Sequence, residues 1–164
     1  MDAQHLLITV IRPTLEMLGR WTEASEKLVL YTACQESHLE YLRQLGMEGI
    51  GRGSSMALGL FQMEKATHDD IWVNYLRHRP GIATAVRQFE LEGLYDDDNY
   101  LELAGNLYYA AAMCRVHYLR VPEALPRADD LRGLANYWKR YYNTSAGHGT
   151  PQQFIDNAHR YGGA

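Results

Sequence analysis

The sequence predicts a mainly α-helical fold with one small β or irregular lobe. Most of the chain carries apolar residues at the spacing of three and four that is typical of a helix face, as at Leu6, Leu7 and Val10. Between residues 42 and 61 this spacing is lost and five glycines occur, which favours tight turns and a small hairpin. The length of 164 residues suits one domain, and no repeat or domain boundary divides 1–164.

The composition and net charge of the chain indicate which classes of binding partner are expected. Hydrophobic residues make up 46% and charged residues 22% of the chain, which is ordinary for a globular protein. The net charge of −4, with no basic arm or face visible, argues against nucleic acid. The start of the chain carries an acid and a short apolar run, so we expect no signal peptide, and no membrane span is expected elsewhere.

Two helices are predicted in the first quarter of the chain, over residues 3–18 and from about Thr22 toward Glu40. In the first, Pro13 is expected to bend or restart the helix, because proline has no N–H to donate. In the second, Thr22 or Ser25 is a suitable N-terminal cap. The residues that follow the cap are apolar on nearly all sides, which predicts a central position in the fold.

Three helices are predicted in the middle of the chain. The stretch THDDIW indicates a helix start at Thr67, with Asp70 completing a capping box. A short helix is expected over 82–92, ended by Gly93. Residues 99–120 follow as one long helix whose apolar and small residues predict a core position.

The last third is expected to contain a helix rich in aromatic residues over 129–142 and a final helix opened by Pro151. The two cysteines, Cys34 and Cys114, lie far apart in apolar helical surroundings, which favours buried free thiols over a disulfide. Neither the cysteines nor the histidines have the spacing of metal ligands, so we expect no metal and no other cofactor.

Glu36 is the residue that this helical pattern does not explain. On a helix that turns by about 100° per residue it shares the direction of Val29 and Ala33, which are apolar. A carboxyl group in apolar surroundings keeps its proton to higher pH, because burial disfavours the charged form. A carboxylate on this apolar stripe therefore needs a reason. The alternative is a helix-end acid that faces solvent or pairs with Arg43.

Three short motifs resemble the soluble lytic transglycosylases and goose-type lysozymes, and most of all the compact versions carried by phages and prophages. The family pattern of Glu-Ser, Gly-Leu-Met-Gln and Tyr-Asn reads here as Glu36-Ser37, Gly59-Leu60-Phe61-Gln62 and Tyr142-Asn143. Phe61 replaces the commoner Met. The stretch ANYW at 135–138 is an alternative position for the third motif, and it would place Trp138 where the family has Asn.

The resemblance implies a lysozyme-like fold and a glycan-binding cleft between the 42–61 lobe and the segment 129–145. It implies cleavage of the β-1,4 bond between N-acetylmuramic acid and N-acetylglucosamine in peptidoglycan. Glu36 would be the single acid and base, and the muramic 2-acetamido group would stabilise the anomeric centre, so that a 1,6-anhydro product leaves.

The resemblance also implies which residues meet the substrate. Gln62 is expected to bind the glycan or orient Glu36, Gly59 to let the backbone approach the sugar, and Ser37 to support the carboxylate. Further contacts are expected from Tyr137, Tyr142 and Asn143. Aromatic residues at helical spacing normally bury, so Tyr137, Trp138, Tyr141 and Tyr142 are candidates for the core as well as for a sugar platform.

A phage endolysin or a virion-associated enzyme of cell wall degradation is the biological role that the resemblance favours. Its partners would be peptidoglycan glycan strands and phage tail or other virion proteins. Its location would be the virion, or the host cytoplasm with delivery to the periplasm. Two alternatives remain open: a structural phage tail or baseplate protein that keeps the fold with little activity, and a muramidase that uses water.

Overall fold

The chain is mainly helical, as predicted. The computed structural model describes residues 1–43, 56–91, 99–143 and 147–164. The α-helices in these ranges are α1 (Ala3–Leu6), α2 (Arg12–Met17), α3 (Glu23–Ser37), α4 (Lys65–Asp70), α5 (Pro80–Arg87), α6 (Glu102–Gly105), α7 (Leu107–Leu119), α8 (Leu131–Trp138) and α9 (Pro151–Gly162). π-helical turns over Leu7–Ile11, Ile71–Tyr75 and Lys139–Asn143 and 3₁₀ turns over Leu76–His78 and Asn99–Leu101 extend or join them.

Most of the predicted lobe at 42–61 lies outside the described residues. At its ends, isolated antiparallel bridges pair Leu58 with Arg43 and with Met63. None of the helices in the described ranges is both long and apolar enough to span a bilayer.

Pro13 interrupts the backbone hydrogen bonding of the first helical segment. The segment is continuous from α1 to α2, and a π-helical turn precedes the proline. At the end of this turn the N–H of Arg12 donates to the carbonyl of Leu7, five residues back. Because Pro13 has no N–H to donate, the usual helical ladder cannot pass through it. A π turn therefore interrupts the regular α-helical pattern just before Pro13.

Helix α3 is the centre of the fold, as its apolar sequence predicts. A reciprocal capping box starts it: Ser25 N–H donates to Thr22 Oγ1 at 3.0 Å and Thr22 N–H to Ser25 Oγ at 2.8 Å. The helix ends at Ser37, earlier than predicted, because His38 and Leu39 both have left-handed φ angles. Helices α7, α8 and α9 all pack against it.

Two predicted helix starts in the middle of the chain are wrong. Helix α4 begins at Lys65, and Thr67 caps nothing, since Glu64 is already the extended residue before the first turn. Asp70 instead accepts hydrogen bonds from Asn74 and Arg120. Helix α5 begins at Pro80, which occupies the first-turn position that suits proline, and it ends at Arg87. Gly93, the predicted stop, lies outside the described residues.

The predicted long helix at 99–120 is divided at Asn106. This residue has extended ψ, and its side-chain Oδ1 accepts from the N–H of Tyr109 at 3.1 Å, which caps α7. Its Nδ2 donates to the carbonyl of Phe89 and to the buried carboxylate of Glu102. Hydrophobic periodicity does not reveal this break, because α6 and α7 both turn apolar faces toward the core.

The C-terminal helices follow the prediction closely. The helix expected over 129–142 is α8 followed by the π turn Lys139–Asn143, and Asp130 caps it through the N–H of Gly133. Helix α9 starts at Pro151, after a capping box between Thr150 and Gln153. Its Phe154 is fully buried.

Both cysteines are buried and free, as predicted. Cys34 lies in α3 and Cys114 in α7, and neither is exposed to solvent. Burial raises the pKa of Cys34 to about 12 and that of Cys114 well above its ordinary value.

Asn106→Ala removes the α7 cap and leaves the Glu102 carboxylate and the Phe89 carbonyl without one hydrogen-bond donor each. We expect the free energy of unfolding, measured by urea denaturation, to fall by about 2 to 3 kcal/mol. The control is Asn74→Ala, which removes one exposed hydrogen bond to Asp70 and should change stability by less than about 0.5 kcal/mol. Equal losses in the two variants would contradict the capping role.

Candidate functional site

Glu36 lies in the last turn of α3, one residue before the helix ends. Its side chain is partly exposed to solvent. Its Oε1 accepts a hydrogen bond of 2.8 Å from the indole Nε1 of Trp138, the last residue of α8. The alternative that Glu36 pairs with Arg43 is not supported, since no ion pair joins these two described residues.

The Glu36 carboxyl group is held near half-protonation at neutral pH. Burial raises its pKa from the ordinary value near 4.5 to about 7, and the hydrogen bond from Trp138 acts in the opposite direction, because it stabilises the charged form. Within the described chain no neighbouring charge contributes to the rise. Val29 and Ala33, the residues predicted to share its direction, have no exposed surface. Solvent reaches the side chain while packed atoms surround its carboxyl group.

Trp138 is held firmly in place as a hydrogen-bond donor. The indole is fully buried and stacks on Phe154 of α9, with ring centroids 5.2 Å apart and an interplanar angle of 29°. Gly149 lies against its edge, where a Cβ atom would be only 2.6 Å from Cη2. The direction of the Nε1–H bond is therefore set by α9 and the residue-149 backbone before any ligand binds.

The Gly59–Gln62 motif forms a tight turn closed by two hydrogen bonds between the backbones of Leu58 and Met63, of 3.0 and 3.1 Å. Gly59 has φ +75°, and a Cβ there would collide with the carbonyl oxygen of Leu103. The position therefore requires glycine, and the close neighbour is protein backbone. Gln62, at φ +45°, donates from its side chain to the Gly59 carbonyl at 2.8 Å.

Tyr142 connects this turn to the end of α3. Its hydroxyl donates to the carbonyl of Phe61 at 2.7 Å, within the Gly59–Gln62 motif. Burial raises the pKa of Tyr142, and the nearby carboxylate of Glu36 adds to the rise. Glu36, the Gly59–Gln62 turn and Tyr142, which come from the three motifs, thus lie in one region.

Other predicted site residues have structural partners. Ser37 is buried and donates to the Ala33 carbonyl at 3.0 Å, inside α3. Tyr137 is buried, and its hydroxyl donates to the Glu123 carbonyl at 3.0 Å. These contacts favour structural roles for both residues.

Asn143 stabilises the turn that follows α8. Its Oδ1 accepts from Lys139 Nζ at 2.6 Å, and the same ammonium donates to the Gly147 carbonyl at 2.8 Å. A Cβ at Gly147 would collide with Asn143. The predicted Tyr-Asn motif therefore divides its contacts between the Gly59–Gln62 turn and the loop before α9.

Trp138 is the functional candidate whose role the sequence does not reveal. The sequence predicts Trp138 as a stacking face for the glycan, or as the residue that stands where the family has Asn in the alternative third motif. Trp138 is 102 residues from Glu36 in the chain, so no local pattern indicates the hydrogen bond between them. Among the described residues no group of three or more His, Cys, Asp or Glu side chains is arranged to hold a metal ion.

Comparison of the chain with protein-family models, with curated proteins and with solved structures found no match.

Glu36→Gln is expected to stabilise the protein at alkaline pH. The native carboxyl binds its proton more tightly than the unfolded one, so parent stability falls as pH rises from about 4.5 to about 7. Gln removes this loss and still offers Trp138 an acceptor. Thermal unfolding should show nearly equal stability at pH 4, and a gain for the variant of up to about 3 kcal/mol at pH 8. A gain independent of pH would contradict the raised pKa.

Trp138→Phe is expected to raise the Glu36 pKa further, because the donor that stabilises the carboxylate is lost. The measurement is a pH titration of the ¹³C-labelled Glu36 carboxyl by NMR. Trp21→Phe is the matched control, since the indole of Trp21 donates to Glu26 Oε2 at 2.7 Å and is remote from the α8 contact. Its Glu36 titration should follow the parent, and an unshifted midpoint in Trp138→Phe would refute the assignment.

Proposed function

We propose that this chain is a peptidoglycan-cleaving lytic transglycosylase, a lysozyme-like glycosidase whose single acid and base is Glu36. The observation that carries the proposal is a solvent-reached carboxyl group whose pKa is raised to about 7 and which a buried indole holds in one orientation. A general acid is most useful when its pKa lies near the working pH, because both protonation states are then available. A surface carboxylate without these surroundings would be ionised.

The two protonation states of Glu36 match the two halves of the reaction. The protonated form gives its proton to the bridging oxygen as the glycosidic bond breaks, and the muramic 2-acetamido group stabilises the anomeric carbon. The resulting carboxylate takes a proton from the 6-hydroxyl of the same sugar, whose oxygen closes the 1,6-anhydro ring. Glu36 is thereby returned to its starting state, and no water is consumed.

The surroundings of Glu36 support a mechanism assisted by the substrate. A second catalytic carboxylate within interaction distance would raise the Glu36 pKa through its negative charge, and no such contribution comes from the described residues. The Gly59–Gln62 turn is joined to Tyr142 by a hydrogen bond, and its partly exposed Gln62 supplies an amide for hydrogen bonds to the glycan.

The role that fits this activity is that of a phage endolysin or a virion-associated enzyme that opens the wall during infection. In that role it would act on glycan strands in the periplasm and associate with tail or other virion proteins. Two alternatives remain: an inactive baseplate protein and a muramidase that uses water. Analysis of the reaction products distinguishes both from a transglycosylase.

Glu36→Gln is expected to lower the rate of peptidoglycan digestion at least about 100-fold, because the proton donor is lost while the Trp138 contact is kept. Glu40→Gln is the control, since Glu40 is exposed and lies beyond the end of α3. Mass spectrometry of the released fragments identifies the reaction. Anhydro ends support the proposal, reducing ends indicate a muramidase, and absence of products from the folded parent would refute an enzymatic role.

A further inference from the structure

A basic segment without any acid lies in this net acidic chain. Residues 71–89 contain Arg77, Arg79 and Arg87 and neither Asp nor Glu, although the whole chain has a net charge of −4. In the structure they form the π turn Ile71–Tyr75, the 3₁₀ turn that follows it and α5. The average charge of the chain therefore does not describe this segment.

Two of these arginines rest on aromatic rings that are themselves anchored to α7. The Cζ atom of Arg79 lies 3.9 Å from the ring centroid of Tyr75, whose hydroxyl donates to the Leu119 carbonyl at 2.9 Å. The Cζ atom of Arg87 lies 5.2 Å from the ring centroid of Trp72, whose indole donates to the Tyr109 hydroxyl at 2.9 Å.

Each guanidinium lies over an aromatic face, and this contact leaves N–H groups on its edge able to bind an anion. An arginine that is already ordered loses less side-chain entropy when a ligand binds. In the described part of the chain no carboxylate forms an ion pair with Arg77, Arg79 or Arg87. Their charges are available to a ligand.

These side chains border two grooves that meet at Pro80. The first has a volume of about 460 Å³ and is bordered by Trp72, Val73, Leu76, Arg77, Ala83 and Arg87. The second has a volume of about 560 Å³ and is bordered by Leu18, Arg20, Tyr75, Arg79 and Ile82. We call this surface the arginine face.

The chemistry of the arginine face selects its ligand. Guanidinium groups on the rim bind carboxylates as two-pronged donors, while the mainly apolar lining of the first groove suits small aliphatic side chains. The groove volumes fit a few peptide residues. A polyphosphate chain would contact the arginines on the rim and leave the apolar lining of the first groove unused.

We propose that the arginine face binds the stem peptides of peptidoglycan, which are short, carry free carboxylates and are rich in methyl side chains. This inference rests on the proposed function for its choice of substrate. The contact would hold a net acidic protein on an anionic wall, independently of the glycan bound near Glu36.

The experiment measures binding of soluble stem peptides, released from purified peptidoglycan, to the intact chain by calorimetry at low salt. The double variant Arg79→Gln with Arg87→Gln should bind at least about tenfold more weakly, since two charge-assisted contacts are lost. The matched control is Arg127→Gln with Arg160→Gln. It removes the same two charges from an ion pair with Asp129 and from the ring of Tyr161, and it should bind like the parent.

The same peptides with amidated carboxylates should bind poorly to the parent. Equal binding by both double variants, equal binding of amidated peptides, or binding of anionic phospholipid vesicles without binding of peptides would overturn the inference. Glu36→Gln separates the two proposals, because it should bind stem peptides like the parent while it loses cleavage. Binding by a parent that cleaves nothing would refute the proposed function and leave the arginine face supported.

Discussion

The hydrogen bond between Trp138 and Glu36 is the contact on which the site depends. It joins the end of α3 to the end of α8, and both helices also pack on α9 through Phe154 and its neighbours. Burial of the carboxyl group raises its pKa, and the indole N–H limits the rise to about 7. A buried carboxyl group without a hydrogen-bond donor would stay protonated at neutral pH, and one that accepts from several donors would stay ionised.

The helices that the sequence predicts correctly are those with strong local chemistry. Thr22 with Ser25 and Thr150 with Gln153 form reciprocal caps, and Pro13 and Pro151 act through their missing N–H groups. Some errors arise where distant residues decide the outcome, and others arise where a local signal is not used, as at Thr67, which does not cap α4. Asn106 divides a predicted helix because Phe89 and Glu102 accept from its amide, and neither contact is visible in a helical period.

For the candidate site too, some predictions agree with the structure and others do not. The apolar direction of Glu36 follows from helical spacing, and its raised pKa agrees with that reasoning. The motifs predict Ser37 and the aromatic cluster predicts Tyr137 as site residues, but their hydrogen bonds run to Ala33 and Glu123 instead of toward the site. Trp138 could not be predicted as the donor, since its orientation is set by Phe154 and Gly149 in the folded chain. Average charge likewise concealed the arginine face.

The two buried cysteines have low reactivity toward oxidants. A thiol reacts with oxidants and electrophiles through its thiolate, and Cys34 and Cys114 hold their protons far above physiological pH. Both sulfur atoms are also shielded from solvent by the packing of α3 and α7. Neither thiol is therefore readily oxidised or cross-linked while the molecule stays folded.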